Sequence, residues 1–228
     1  MLKRIRGVLR WAIPLVLMPL FVVLGGGLMG ERFYAWGILG MVLLTQGLFF
    51  VSFEKRNTGA RRLAVAAVMT ALSVLGRIVL APIPGFKPIT ALVVLTAIWI
   101  GGETGFLVGA LSALISNFFS GQGPWTPFQM FAWGMLGLLA GVLAEPLKRN
   151  RLLLAAYGVF AGAAYSLFMD VWTVLWYNGG INWPMYQAAV LTALPYTLSY
   201  AASNVVFLMV LGKPIGEKLH RVKIKYGV

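Results

Sequence analysis

The stretch GGETGFLVGALSALISNFFSGQGPWTPFQMFAWGMLGLLAGVL (residues 101–143) contains two long apolar runs with a short polar interruption between them. Neither run alternates apolar and polar residues, as the strands of a membrane β-barrel do. Because backbone polar groups in hydrocarbon need partners within the protein, continuous apolar runs of this length predict membrane-spanning helices. The interruption at 116–129 holds two prolines, two glycines and a tryptophan beside three amide side chains, and it predicts a structured turn.

The rest of the chain has the same composition. Hydrophobic residues make up 60% of the 228 residues and charged residues 11%, and the mean hydropathy is +0.84. A soluble protein of this length needs more polar surface. The sequence therefore predicts an all-α integral membrane protein of about eight helices. The apolar runs lie at about 11–30, 33–53, 63–81, 89–100, 104–119, 128–145, 152–176 and 188–211.

The basic residues predict the topology. Of the 19 lysines and arginines, 16 lie before the first run, after the last, or in the gaps that follow the second and sixth runs. Basic residues concentrate in cytoplasmic loops, so both termini are expected in the cytoplasm and the 116–129 stretch at the outer face. The formal net charge of +13 then indicates contact with anionic lipid headgroups at a basic tail, rather than nucleic acid.

The chain divides at its polar break, FEKRNTGARR (53–62). Residues 1–57 are predicted to be an accessory transmembrane helix pair with its cytoplasmic connection. Residues 58–228 are predicted to be a six-helix substrate-binding core with a basic cytoplasmic tail. The first run has a basic start like that of a signal peptide, but Pro14 and Pro19 and the lack of a small-x-small cleavage site favour a retained helix.

Several kinds of chemistry are excluded by residue type. The chain has no cysteine and one histidine, His220, in the basic tail. A metal site, a cofactor site and a Ser-His-Asp triad are therefore not expected. The chain also lacks a glycine-rich phosphate-binding loop with Lys and Ser/Thr. It is predicted to be neither an enzyme nor an ATPase, so energy for any transport must come from a partner.

Charged, amide and aromatic side chains gather in the predicted outer half. Arg77 and Asp170 lie inside apolar runs, where charge is costly, so they form either an ion pair or a substrate contact. The aromatic residues fit either an interfacial belt or the walls of a small-molecule pocket, and the amides favour the pocket. The predicted substrate-binding residues are Arg77, Phe86, Lys87, Asn117, Gln122, Trp125, Gln129, Trp133, Asp170, Trp176, Asn178, Tyr196 and Tyr200.

A stripe of small residues marks the third run. Ala60, Ala64, Ala67 and Ala71 follow i, i+4, i+7, i+11 spacing and share one helix face. Such a face lets another helix approach closely, either within the same bundle or on a partner. Its place in the cytoplasmic half, beside two arginines, leaves both interpretations open.

The segments GRIVLAPIPGFKPITALVVL (76–95) and 101–143, together with the alanine stripe, resemble the S components of energy-coupling factor (ECF) vitamin transporters. The resemblance covers about 60–215 and is closest to the cobalamin-type subfamily. It implies a six-helix core in a prokaryotic plasma membrane, a membrane partner called the T component, and two cytoplasmic ATPases. It also implies that Ala67 and Ala71 match an A-x-x-x-A docking motif, with Ala60 and Ala64 extending the face.

The resemblance implies a mechanism in which the loaded S component topples in the membrane and carries its pocket inward. The expected ligand is cobalamin or a related corrinoid, which is large, rich in amides and close to neutral. A flavin or a queuosine precursor is the alternative, as is a structural or regulatory subunit without a ligand. The extra helix pair is expected to pack away from the alanine face, because it would otherwise block docking.

Overall fold

The computed structural model describes residues 36–37, 39–40, 42–47 and 59–227, and these residues form helices and turns without strands. The predicted all-α fold is confirmed. The described residues between 36 and 47 are helical, while the first predicted run lies outside the described residues. The remaining helices are α1 (Ala60–Val79), α2 (Ile89–Trp99), α3 (Gly102–Ser120), α4 (Thr126–Val142), α5 (Ala144–Arg149), α6 (Arg151–Asn178) and α7 (Trp183–Tyr226).

Each apolar run predicted after residue 60 corresponds to a helix, with one difference at the end of the chain. Four helices (α1, α3, α6 and α7) are long and apolar enough to cross a membrane, and α2 and α4 are shorter apolar helices. The basic stretch that follows residue 211 is no separate tail. It continues α7, a helix of 44 residues, to Tyr226, because Pro214 removes one helical hydrogen bond without ending the helix.

The short helix α2 lies at the centre of the bundle. It contacts α1, α3, α4, α5, α6 and α7, and every residue from Ile89 to Ile98 is buried. Around α2, α1 contacts α3, α3 contacts α4, α4 contacts α6, and α6 contacts α7. With 11 residues, α2 is roughly 17 Å long and cannot cross about 30 Å of hydrocarbon. Enclosure by other helices explains how so short a helix is accommodated.

The glycine stripes of α3 and α4 allow these two helices to approach closely. A Cβ atom on Gly137 would lie 2.7 Å from the carbonyl carbon of Gly105, and one on Gly141 would overlap the Cα of Gly102. A Cβ on Gly109 would lie 2.6 Å from the Trp133 carbonyl. In each case the obstacle is backbone, which cannot rotate away, so only glycine fits.

The two ends of the bundle differ. The segments 80–88, 121–125 and 179–182 join helices at one end, here called the loop end. The opposite end holds Arg61 and Arg62 of α1 and the basic residues of α5, α6 and α7, and it is called the basic end. At the loop end, the Lys87 N–H donates to Ser203 Oγ at 2.8 Å, and Ser199 Oγ donates to the Pro84 carbonyl at 2.8 Å. Segment 80–88 is thereby held against α7.

The described part of the second N-terminal helix packs on the α3–α4 side. Val42 is buried in a cluster with Phe106 and Phe128, and Gln46 Nε2 donates to the Pro127 carbonyl at 2.9 Å. The rest of the predicted helix pair lies outside the described residues, so its packing away from the alanine face of α1 stays a prediction.

Substituting Gly109→Ala tests the close contact between α3 and α4. The new methyl group would meet the Trp133 backbone, so we expect the free energy of unfolding to fall by about 1–3 kcal/mol. The measurement is the thermal midpoint in detergent. Gly212→Ala is the control, because its nearest neighbour is Leu154 Cδ2 at 3.9 Å. Equal losses in both variants would contradict the packing assignment.

Candidate functional site

A cavity of about 60 Å³ lies at the loop end, above the first residues of α2. Five of the thirteen predicted substrate-binding residues line it, and they come from α1, the 80–88 segment, α4 and α7. The cavity also takes residues from α2 and α6. Its lining residues are Arg77, Lys87, Ile89, Thr90, Gln129, Trp133, Tyr165, Tyr200 and Asn204.

Arg77 is held at the cavity by neutral groups on α3. Its Nη1 donates to Ser116 Oγ at 2.5 Å and to Asn117 Oδ1 at 2.8 Å. The guanidinium also stands 5.4 Å from the centroid of the Trp133 ring. The ion pair between Arg77 and Asp170 that the sequence left open is absent, and Asp170 Oδ2 is buried without a hydrogen-bond partner among the described residues. The α3 groups bind the guanidinium instead.

Asn117 connects the quoted polar interruption to the cavity. Its side chain is fully buried, and its Nδ2 donates to Thr126 Oγ1 at 2.8 Å and to Gln129 Oε1 at 2.9 Å. The same amide accepts from Arg77 through its oxygen, so one side chain fixes a cation on α1 and an amide on α4. Asn117 therefore positions the cavity wall without lining it.

Aromatic rings form the opposite wall. Trp133 and Tyr165 are stacked, with centroids 4.7 Å apart and an interplanar angle of 11°. Tyr200 meets Tyr165 edge-on at 5.2 Å. The Trp133 Nε1–H is buried and has no hydrogen-bond partner among the described residues, so a donor is available beside the stacked rings.

Tyr165 and Asn204 were not among the predicted site residues. Tyr165 follows Gly158, Ala161 and Gly162 at helical spacing, so it continues the small-residue face of α6 that packs on α7. That spacing is the signal that could have identified it. Asn204 bonds the neighbouring helix α6, because its Nδ2 donates to the Gly158 carbonyl at 3.1 Å.

Lys87 adds a second cation at the cavity. Its Nζ donates to the carbonyl oxygens of Leu80, Ala81 and Ile83 at 3.0, 3.3 and 3.3 Å. Burial, and secondly the charge of Arg77, lower the pKa of the Lys87 ammonium below its ordinary value. Among the described residues, neither Lys87 nor Arg77 forms a salt bridge with a carboxylate. The cavity thus has a local excess of positive charge.

Three of the predicted aromatic residues, one just before α4, one on α6 and one on α7, lie on the outside of the bundle. Trp125, Trp176 and Tyr196 are exposed to 37%, 54% and 51%. Trp125 covers Gly123 at the start of α4. Phe86 turns away from the cavity and contacts the Phe207 ring at 5.1 Å. Exposed rings at a helix end fit the interfacial belt that the sequence also allowed.

The remaining polar residues also lie outside the cavity lining. Gln122 accepts from Thr126 at 2.9 Å through its carbonyl and donates to the Leu114 carbonyl at 2.8 Å, which orders the turn before α4. Asn178 donates to the Gly180 carbonyl at 3.2 Å at the end of α6. Local backbone groups occupy these amides, so they build turns at the loop end.

The alanine face of α1 is uncovered by the described residues. Ala60, Ala64, Ala67 and Ala71 are all exposed. Beside this face, α1 and the last turns of α7 flank an apolar groove of about 600 Å³, which Ala64 helps to line. The groove lies at the basic end, where Arg61 Nη1 donates to the Tyr226 carbonyl at 3.1 Å.

Comparison with known proteins identifies the family. The sequence model of the family "ECF-type riboflavin transporter, S component" matches residues 57–221. The chain belongs to this family. It is 28% identical over 170 aligned residues to a UPF0397 protein of Aliivibrio salmonicida (strain LFI1238), with 68% of this chain and 88% of the relative covered. No solved structure matches the chain.

An S component is the substrate-binding subunit of a vitamin transporter and is not an enzyme. Members of the family work with a T component and ATPases. The resemblance read from the sequence is therefore confirmed at the level of the ECF S component. The cobalamin-type subfamily is not confirmed, since the matching family is named for riboflavin.

Substituting Asn117→Ala tests its role in this S component. The change removes one hydrogen bond from each of Arg77, Thr126 and Gln129 inside the protein, so we expect a loss of about 1–3 kcal/mol in the free energy of unfolding. Thermal unfolding in detergent measures it. Asn178→Ala is the matched control and should cost less than about 0.5 kcal/mol. An Asn117→Ala protein as stable as the control would contradict the network.

Proposed function

We propose that this S component captures a vitamin in the loop-end cavity and delivers it inward on a T component driven by two ATPases. The proposal is supported by three groups of the cavity that lack a charge partner or a hydrogen-bond acceptor within the described part of the chain. Arg77 and Lys87 lack carboxylate partners among the described residues, and the Trp133 N–H lacks an acceptor there. A ligand with acceptor groups and a flat ring system would satisfy all three.

Cobalamin or a related corrinoid is the ligand we propose. One of the two cations would bind its phosphate, and Gln129 and Asn204 would bond its amide groups. The N-terminal end of α2 lies at the cavity and adds partial positive charge. Riboflavin is the second candidate, because the matching family is named for it and a flavin would stack on the Trp133–Tyr165 pair. A flavin brings no anionic group to the two cations.

Ligand entry requires the loop end to open. Small-molecule pockets usually enclose about 300–1,000 Å³, whereas the cavity measures about 60 Å³. The segment 80–88 is the cover that must move, because its Lys87 lines the cavity. It is held through Ser199 and Ser203 on α7, so breaking a few hydrogen bonds would release it.

Titration of the purified chain with cobalamin and with riboflavin tests the ligand. We expect saturable cobalamin binding that is tighter than riboflavin binding, measured by calorimetry and by quenching of tryptophan fluorescence. Tighter riboflavin binding would refute the corrinoid and keep the vitamin-binding function. Absence of binding to either vitamin, with no small molecule retained after gentle solubilisation, would favour the ligand-free structural subunit.

Substituting Trp133→Phe tests the cavity as the binding site. It removes the free indole N–H while keeping an aromatic ring, so we expect the Kd to rise by about two- to tenfold. Trp183→Phe is the matched control, since Trp183 is exposed at the same end and should leave the Kd unchanged. The same Kd for Trp133→Phe and the wild type would place the ligand elsewhere.

The alanine face of α1 is proposed as the surface that docks on the T component. All four alanines are exposed, and methyl side chains permit close helix contact. This arrangement places the docking face at the basic end and the cavity at the loop end. With the basic end in the cytoplasm of a prokaryotic cell, the S component must topple to carry the ligand inward.

A double substitution, Ala67→Leu with Ala71→Leu, tests docking. Two bulky side chains would separate the helices, so we expect uptake to be abolished while vitamin binding in detergent stays unchanged. Uptake is measured in cells that express the T component and the ATPases. The control is Ala156→Leu with Ala188→Leu, exposed alanines of α6 and α7, which should leave uptake intact. Normal uptake in the α1 variant would refute docking at this face.

A further inference from the structure

A second cavity lies at the basic end, away from the vitamin site. It measures about 210 Å³ and is bordered by the end of α2, the short α5, the start of α6, and α7. Its interior is apolar and includes Leu154, Leu208 and Met209. None of the residues at the loop-end cavity takes part in it. The apolar interior is therefore a separate concave surface in the described part of the bundle.

The mouth of this cavity is basic. Lys148, Arg151 and Lys213 line it, and Glu217 is the one acidic residue in the lining. Lys148 is already paired with Glu145 at 2.5 Å. Arg151 and Lys213 are exposed and have no hydrogen bond or ion pair with the described residues. Two free cations thus stand at the opening of an apolar cavity.

One wall of the cavity is held in place by close packing. The Trp99 ring lies directly on Gly216, where a Cβ atom would come 2.7 Å from Trp99 Nε1. Lys223 Nζ donates to the Trp99 carbonyl at 3.1 Å, and the His220 ring lies 5.3 Å from the indole. Since α2 and α7 are locked together at this point, the wall is formed before any ligand arrives.

We propose that this cavity binds an anionic phospholipid, with the phosphate at Arg151 and Lys213 and the adjoining apolar part against Leu154, Leu208 and Met209. Charge complementarity identifies the phosphate, and basic pockets between membrane helices bind such headgroups. The apolar interior selects a lipid over free phosphate, because a hydrated ion gains nothing from that surface. The lipid would occupy the space between α5, α6 and α7 at the basic end.

Native mass spectrometry of the full chain with added phosphatidylglycerol tests the proposal. We expect a retained phosphatidylglycerol that phosphatidylcholine does not replace. Arg151→Gln with Lys213→Gln should reduce retention about tenfold or more. Gly212→Leu keeps both cations and fills the cavity beside Leu154, which lies 3.9 Å from the new Cβ position. It should reduce retention as well.

The control is Arg149→Gln with Arg221→Gln, which removes the same charge from exposed positions outside the cavity lining. Retention should then stay as in the wild type, and vitamin binding should be unchanged in all variants, which verifies folding. Equal loss in the control, or full retention in Gly212→Leu, would overturn the site in favour of diffuse surface charge. Displacement of the lipid by equimolar glycerol 3-phosphate would overturn the lipid as its ligand.

Discussion

The structure depends on the enclosure of one short helix. With 11 residues, α2 covers little more than half of a bilayer's hydrocarbon thickness. Its ends would face lipid with unsatisfied backbone groups if it stood at the surface of the bundle. The six other described helices from α1 to α7 contact it, and the glycines of α3 and α4 bring those two helices close enough to close the shell.

The candidate vitamin site follows from the same constraint. Because α2 begins at Ile89, it leaves a space inside the bundle between its first residue and the loop end. The 80–88 segment and side chains of the surrounding helices must fill that space. Arg77, Gln129 and Trp133 reach into that space, and Ile89 and Thr90 form its floor. The charge of Arg77 is tolerated there because Ser116 and Asn117 accept its hydrogen bonds. The polar side chains therefore fill a gap that a longer central helix would have occupied.

The two ends of the bundle have different chemistry, in keeping with the proposal that ligand binding and docking occur at opposite ends. The loop end carries aromatic rings, amides and two cations around a closed cavity. The basic end carries the alanine face, the apolar groove beside it, and a second cavity with a basic mouth. If the vitamin binds at the loop end and the T component docks on the alanine face, as proposed, the two do not compete for the same surface. The proposed toppling would carry the loop-end cavity, with its ligand, to the other side of the membrane.

After residue 60, the sequence by itself determined the six apolar helices and their order, because apolar length is a local property of the chain. It did not separate the short α5 from the run before it. It also identified Arg77, Lys87, Gln129, Trp133 and Tyr200 as polar or aromatic residues that share the predicted outer half of the membrane. Which of the thirteen predicted residues line the cavity was decided by tertiary packing alone. Helix rotation turned Trp176 and Tyr196 outward and brought Tyr165 against Trp133. The orientation of a helix about its own axis depends on contacts between helices distant in sequence, such as Gly162 against Ala201. The hydrophobicity of one segment does not predict such contacts.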